Sequence, residues 1–172
     1  MMERTGVVTA QGRPLTLLGA ELKVGDKAPE FTVLDNDMKP VGLSDFSGKT
    51  VIVSAVPSLD TPVCDLETRR FNEEASKLSE NIVILTISMD LPFAQKRWCS
   101  AHGITQVKVL SDHREASFGM GYGVLIKELR LLARTIFVVD KKGIIGYIQR
   151  VPDISNEPDY GEVLSAAKKI AG

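Results

Sequence analysis

Three stretches of the chain are apolar at nearly every position: residues 51–56 (Val51-Ile52-Val53-Ser54-Ala55-Val56), 82–87 (Ile82-Val83-Ile84-Leu85-Thr86-Ile87) and 135–139 (Thr135-Ile136-Phe137-Val138-Val139). They are rich in β-branched residues and scarcely alternate with polar ones, the pattern of central strands covered on both faces. Between the first two, Cys64, Thr68, Phe71, Ala75 and Leu78 recur at steps of four and three. That period predicts a helix from an N-cap at Thr61, with Pro62 at its first position, to about Leu78. A second helix runs from Pro92 to Gly103. Ala94, Trp98 and Ala101 make its apolar stripe, and Cys99 sits one step off it. The third apolar run meets residues 144–148 across Asp140-Lys141-Lys142-Gly143, a hairpin signal. Residues 159–171 form a last helix with Val163, Leu164, Ala167 and Ile170 on one side. Near the N-terminus, residues 7–9 and 15–18 flank Gln11-Gly12 as a β-hairpin. Residues 24–29 read as a loop. Residues 31–34 read as a short strand that ends at the turn Asp35-Asn36-Asp37.

Strand, helix, strand, helix, β-hairpin, helix is the order of a thioredoxin-like α/β fold, here preceded by an N-terminal β-hairpin extension. The 172 residues suit a single domain, 1–172, with a full core. No repeat or low-complexity linker divides it. The net charge of -1 points to no nucleic acid and no anionic membrane as partner. No apolar run reaches the roughly 18 residues needed to span a bilayer. The first residues lack the apolar core of a secretory signal, so a cytoplasmic address is expected.

There are only two cysteines, Cys64 and Cys99. That is few for a secreted disulfide scaffold, and in a reducing compartment two cysteines are most often inert packing residues. Position distinguishes Cys64. It falls in the first turn of the predicted helix, just past a central strand, where free backbone N–H groups and the helix dipole favour thiolate. Thr61 precedes it by three residues, so its hydroxyl can reach the sulfur or a bound oxygen. Arg134 opens the third apolar run, where a permanent charge needs an anionic partner. A dithiol exchanger would need Cys-x-x-Cys, and Thr61 occupies the earlier position. Cys64, Cys99, His102 and His113 could supply zinc ligands, but Cys64 has no close second ligand in sequence. A non-catalytic binding module is a further alternative. Gly119-Met120-Gly121-Tyr122-Gly123 lacks the setting of a phosphate loop and reads as a flexible loop.

Pro57, Thr61 and Cys64 form the P-x-x-x-T-x-x-C motif of the peroxiredoxins. Asp60-Thr61-Pro62-Val63-Cys64, Asp90-Leu91-Pro92-Phe93-Ala94, Leu132-Ala133-Arg134, residues 25–31 and residues 157–160 all resemble the bacterial thiol peroxidase branch, an atypical 2-Cys peroxiredoxin group. Met89 and Trp98 depart from the expected smaller residue and phenylalanine. The resemblance implies a thioredoxin-dependent peroxidase acting on hydrogen peroxide and alkyl hydroperoxides. It implies that Cys64 is the peroxidatic cysteine, that Thr61 and Arg134 bind peroxide, and that Pro57 shields the pocket from water. Cys99 would be the resolving cysteine, closing an intramolecular disulfide with Cys64 that thioredoxin reduces. A homodimer is implied; no cofactor and no metal are.

Overall fold

The computed structural model describes all residues, Met1–Gly172. The chain opens with β1 (Glu3–Ala10) and β2 (Arg13–Leu18), an antiparallel pair. Both turn residues are left-handed, Gln11 at φ 49° and Gly12 at φ 83°. A two-residue turn of that hand matches the right-handed twist of its strands. The strands reach further than residues 7–9 and 15–18 because backbone pairing continues past the apolar positions. β3 (Val33–Leu34) and β4 (Pro40–Val41) follow, so only the second half of residues 31–34 is strand. A 3₁₀ turn (Leu43–Phe46) leads into β5 (Thr50–Ala55), α1 (Pro62–Ala75), β6 (Ile82–Ser88) and α2 (Pro92–His102). Then come β7 (Lys108–Ser111), α3 (Ser117–Gly121), β8 (Leu125–Ile126), β9 (Thr135–Val139), β10 (Ile145–Arg150) and α4 (Tyr160–Ala171).

The main sheet has seven strands in the order β10-β9-β5-β6-β7-β3-β4, and β1, β2 and β8 form a second sheet of three. β5, β6 and β7 run parallel, while β9 is antiparallel to β5. This is the thioredoxin-like α/β architecture with its N-terminal strands in a separate sheet. Side chains alternate across the sheet, which sorts the core into two layers. Ile52, Ile84, Ile136 and Val138 pack with Phe71 of α1 and Val163, Leu164 and Ala167 of α4. Val51, Val53, Leu85, Ile87, Phe137 and Val139 face the other way, toward Leu15, Leu17, Phe118, Tyr122 and Ile126. The hairpin extension thus covers the second face of the sheet.

Three local expectations are corrected. α1 ends at Ala75, and the chain continues to Leu78 through i→i+3 turns, Lys77 N–H to Glu74 O and Leu78 N–H to Ala75 O. The buried side of α2 is Pro92, Gln95, Trp98 and Cys99, with Ala101 exposed. Gln95 lies inside because its amide donates to Ser88 Oγ at 3.0 Å and to Leu110 O at 2.8 Å, which rotates Cys99 inward. The glycine-rich segment 119–123 is no flexible loop. Phe118 and Gly119 of α3 donate backbone N–H bonds to Asp112, and Tyr122 is buried with its hydroxyl on Pro29 O.

Candidate active site

Register brings the site together. Ala55 at the end of β5 pairs with Ile87 of β6 and with Thr135 at the start of β9. The residues that follow β5 and β6 and the residue that precedes β9 therefore share one edge of the sheet. Cys64 and Arg134 meet there although 70 residues separate them, and Asp90 reaches the same edge through Ser58 and Leu59.

Cys64 lies in the first turn of α1 and is fully buried. Its Sγ accepts from Arg134 Nη2 at 3.3 Å and from the Ser58 backbone N–H at 3.5 Å. A permanent cation and a backbone donor on one sulfur stabilise negative charge there. Arg134 is 1% exposed, and its other donors are also used. Nε and Nη2 both donate to Ile154 O, at 3.0 and 2.8 Å. Nη1 donates to Glu67 Oε1 at 3.3 Å.

Glu67 is a functional neighbour that sequence reasoning missed. It stands one helical turn after Cys64 on the inner face of α1, wholly buried, with Oε2 accepting from Ser54 Oγ at 2.7 Å. Burial pushes its carboxyl up to about 7, against the pull of Arg134 and Ser54. Its spacing from Cys64 was the available signal, since an acidic residue on an inward stripe requires a buried partner.

Thr61 holds the N-cap position of α1, but its side chain does not cap the helix. Its hydroxyl donates to Ser58 O at 2.8 Å, and the residue is exposed. It therefore makes no bond to Sγ, and its oxygen lone pairs remain available to an incoming donor. Pro57 is buried under the same segment. Asp90 anchors that segment from the other side. Its carboxylate accepts from Ser58 Oγ at 2.7 Å, Leu59 N–H at 2.8 Å and Ser88 Oγ at 2.7 Å.

Cys99 lies apart from this cluster, packed with Leu59, Trp98 and Val109, and both cysteines are free thiols. Burial pushes the Cys99 thiol up. The two helices are tied directly, since Trp98 Nε1 donates to Asp65 Oδ1 at 2.9 Å. His102, at the end of α2, stacks on the Trp98 ring with centroids 4.6 Å apart. The four side chains considered as zinc ligands do not gather into one group. No helix is long and apolar enough to cross a membrane.

The Redoxin family model matches residues 23–164, a stretch that begins after the N-terminal hairpin. A thiol peroxidase from Oceanobacillus iheyensis is 60% identical over 162 residues, covering 94% of this chain and 98% of the relative. That of Bacillus subtilis is 54% identical, covering 95% and 97%. Among solved structures, a peroxiredoxin-like protein from Aquifex aeolicus superposes with a TM-score of 0.90 at 44% identity over 97% of both chains. With its motif, its edge-of-sheet cysteine and these relatives taken together, the chain belongs to the Redoxin family, within the bacterial thiol peroxidases, a branch of peroxidase oxidoreductases.

Proposed function

We propose that Cys64 is the peroxidatic cysteine of a thiol-dependent peroxidase acting on hydrogen peroxide and alkyl hydroperoxides. The observation that carries the reading is the 3.3 Å contact from Arg134 Nη2 to Cys64 Sγ, inside a buried network that also fixes Glu67 and Ile154. The Cys64 thiolate attacks the terminal peroxide oxygen, the S–O bond forms as the O–O bond breaks, and the departing hydroxide or alkoxide takes from solvent the proton that the thiol released, leaving as water or an alcohol. Cys64 is left as a sulfenic acid. Thr61 Oγ1, which already donates to Ser58 O, accepts from the peroxide O–H, while Arg134 stabilises charge on the departing oxygen. Pro57 keeps bulk water from the sulfur. Sγ has no exposed surface, so substrate enters as the exposed turn at residues 60–62 shifts outward.

In this reading Thr61 and Arg134 contribute to the rate by holding the peroxide in line with the sulfur and by stabilising charge on the departing oxygen.

Cys99 is the resolving cysteine in this reading. Its thiol attacks the Cys64 sulfenic sulfur, water leaves, and the intramolecular disulfide forms; a dithiol of thioredoxin then reduces it. Burial pushes the Cys99 thiol further up, so it stays protonated in the folded helix. We take the 172 residues as one catalytic domain that pairs as a homodimer in the cytoplasm, where thioredoxin maintains the thiols. The test is a thioredoxin-coupled assay with hydrogen peroxide and an alkyl hydroperoxide. Turnover with either supports the reading. Reduced protein that consumes neither overturns it.

A further inference from the structure

The hairpin formed by β1 and β2 lies outside the stretch matched by the Redoxin family, and the chemistry described so far does not use it. It nevertheless reaches the site through one continuous set of hydrogen bonds. Thr9, near the end of β1, pairs with Asp153 as an isolated parallel bridge. Its backbone N–H donates to Pro152 O at 2.9 Å, and its carbonyl accepts from Ile154 N–H at 2.9 Å. Thr9 Oγ1 donates to Asp153 Oδ2 at 2.6 Å, and Gly12 N–H in the hairpin turn donates to the same oxygen at 3.0 Å. The Ser155 hydroxyl, then Thr9 Oγ1 and the Gly12 and Ser155 backbone N–H groups, hold the Asp153 carboxyl well below the usual carboxylate range. Ile154, the next residue, offers its carbonyl to Arg134 Nε and Nη2.

We infer that Thr9 and Asp153 are positioning residues for Arg134: the N-terminal hairpin clamps the Ile154 carbonyl, and that carbonyl aims the guanidinium at Cys64. Two features make the clamp necessary. The segment from Pro152 to Glu157 has no regular structure and is largely exposed, so without anchors it would move on the timescale of loops. Nη2 serves both Ile154 O at 2.8 Å and Cys64 Sγ at 3.3 Å, so displacing the carbonyl turns the donor away from the sulfur. A site of this kind tolerates misplacement of only about 0.5 Å. The inference rests on the proposed role of Arg134.

The test compares second-order rate constants with hydrogen peroxide for Thr9→Val, Thr9→Ser and Asp153→Asn, alone and in an Arg134→Lys background. Valine keeps the β-branched shape of threonine in a strand and removes only the donor. We expect Thr9→Val to slow the reaction roughly three- to tenfold, the loss of one charge-assisted bond. Thr9→Ser restores the donor and stays within about twofold of the parent. In the Arg134→Lys background Thr9→Val adds less than about twofold, because a residue acting through another has no separate effect once that one is changed. Asp153→Asn follows the same pattern and takes over should Thr9→Val fail to fold. A parent-like rate for Thr9→Val or Asp153→Asn, or a full loss repeated on top of Arg134→Lys, overturns the clamp and leaves the site reading intact. A parent-like rate for Arg134→Lys alone overturns the proposed role of Arg134, and the clamp with it, while failure to consume any peroxide overturns the reading of Cys64.

Discussion

Changing Arg134 to Lys keeps the charge and removes the fork, so it isolates geometry from electrostatics. In the native site the guanidinium spends four donor contacts on three acceptors: Cys64 Sγ, Glu67 Oε1 and Ile154 O twice. A lysine has one nitrogen at the tip of a flexible stem and cannot meet three acceptors that a planar group spans. If it stays with buried Glu67, the sulfur and the Ile154 carbonyl lose their donor. Losing one preorganised donor to developing charge costs roughly 10²–10³ in rate. Leaving a buried acceptor unpaired costs about 1–3 kcal/mol of stability. The variant is therefore expected to react with hydroperoxide about two to three orders of magnitude more slowly. It is also expected to lose about 1–3 kcal/mol in urea unfolding while remaining folded. Stopped-flow mixing with peroxide, followed through the single indole of Trp98, measures the rate. A lysine variant with the parent rate constant and a lowered urea midpoint would show that Arg134 is only a structural member of the network.

Three further outcomes follow from the same contacts. Glu67 has its carboxyl raised to about 7 by burial, above its ordinary value of 4.5, so its contribution to stability is fully present below about pH 4.5 and is lost as pH rises through 7; Glu67→Gln should flatten the urea midpoint between pH 5 and 8, and an unchanged profile would place the titration elsewhere. Asp90→Asn removes an acceptor from a carboxylate that holds Ser58, Leu59 and Ser88, with an expected loss of about 1–3 kcal/mol and a looser turn before Cys64; a parent-like urea midpoint would contradict it. Disulfide closure requires Cα atoms within about 7 Å with side chains converging, whereas Cys64 and Cys99 sit in separate helices with separate partners; hydrogen exchange should show the first turn of α1, α2, or both losing protection on oxidation, and equal protection in both states would mean that the bridge forms on a rigid scaffold.

How far these features are legible in the sequence depends on the range of the contacts. β5, β6 and β9 are legible because strands covered on both faces are uniformly apolar, and the Cys64 turn is legible because Thr61-Pro62 marks a helix start. β7, only Lys108–Ser111, is too short to show a period. α3 is concealed by glycines that normally mark loops, and its support comes from Asp112, several residues upstream. The Cys99 side of α2 was displaced by Gln95, whose burial depends on a carbonyl of another strand. Arg134 is visible as a charge at the head of an apolar run. Glu67, the carboxyl that accepts from it, shows in the sequence only as an acidic residue one turn after Cys64, and the register of β9 against β5 brings it to the guanidinium. The Ile154 carbonyl is main chain and carries no sequence signal at all.

The central claim is that the Cys64 sulfur is the nucleophile that takes up the peroxide oxygen and that Cys99 is the thiol that follows. The most direct measurement is peptide mass spectrometry on Cys99→Ser protein after one equivalent of hydrogen peroxide and a sulfenic-acid trap. The account predicts a single trapped adduct on the peptide containing Cys64, formed in one turnover and absent from Cys64→Ser. A Cys99→Ser protein that consumes peroxide yet carries no adduct on Cys64, or a Cys64→Ser protein that turns over at the parent rate, would contradict it.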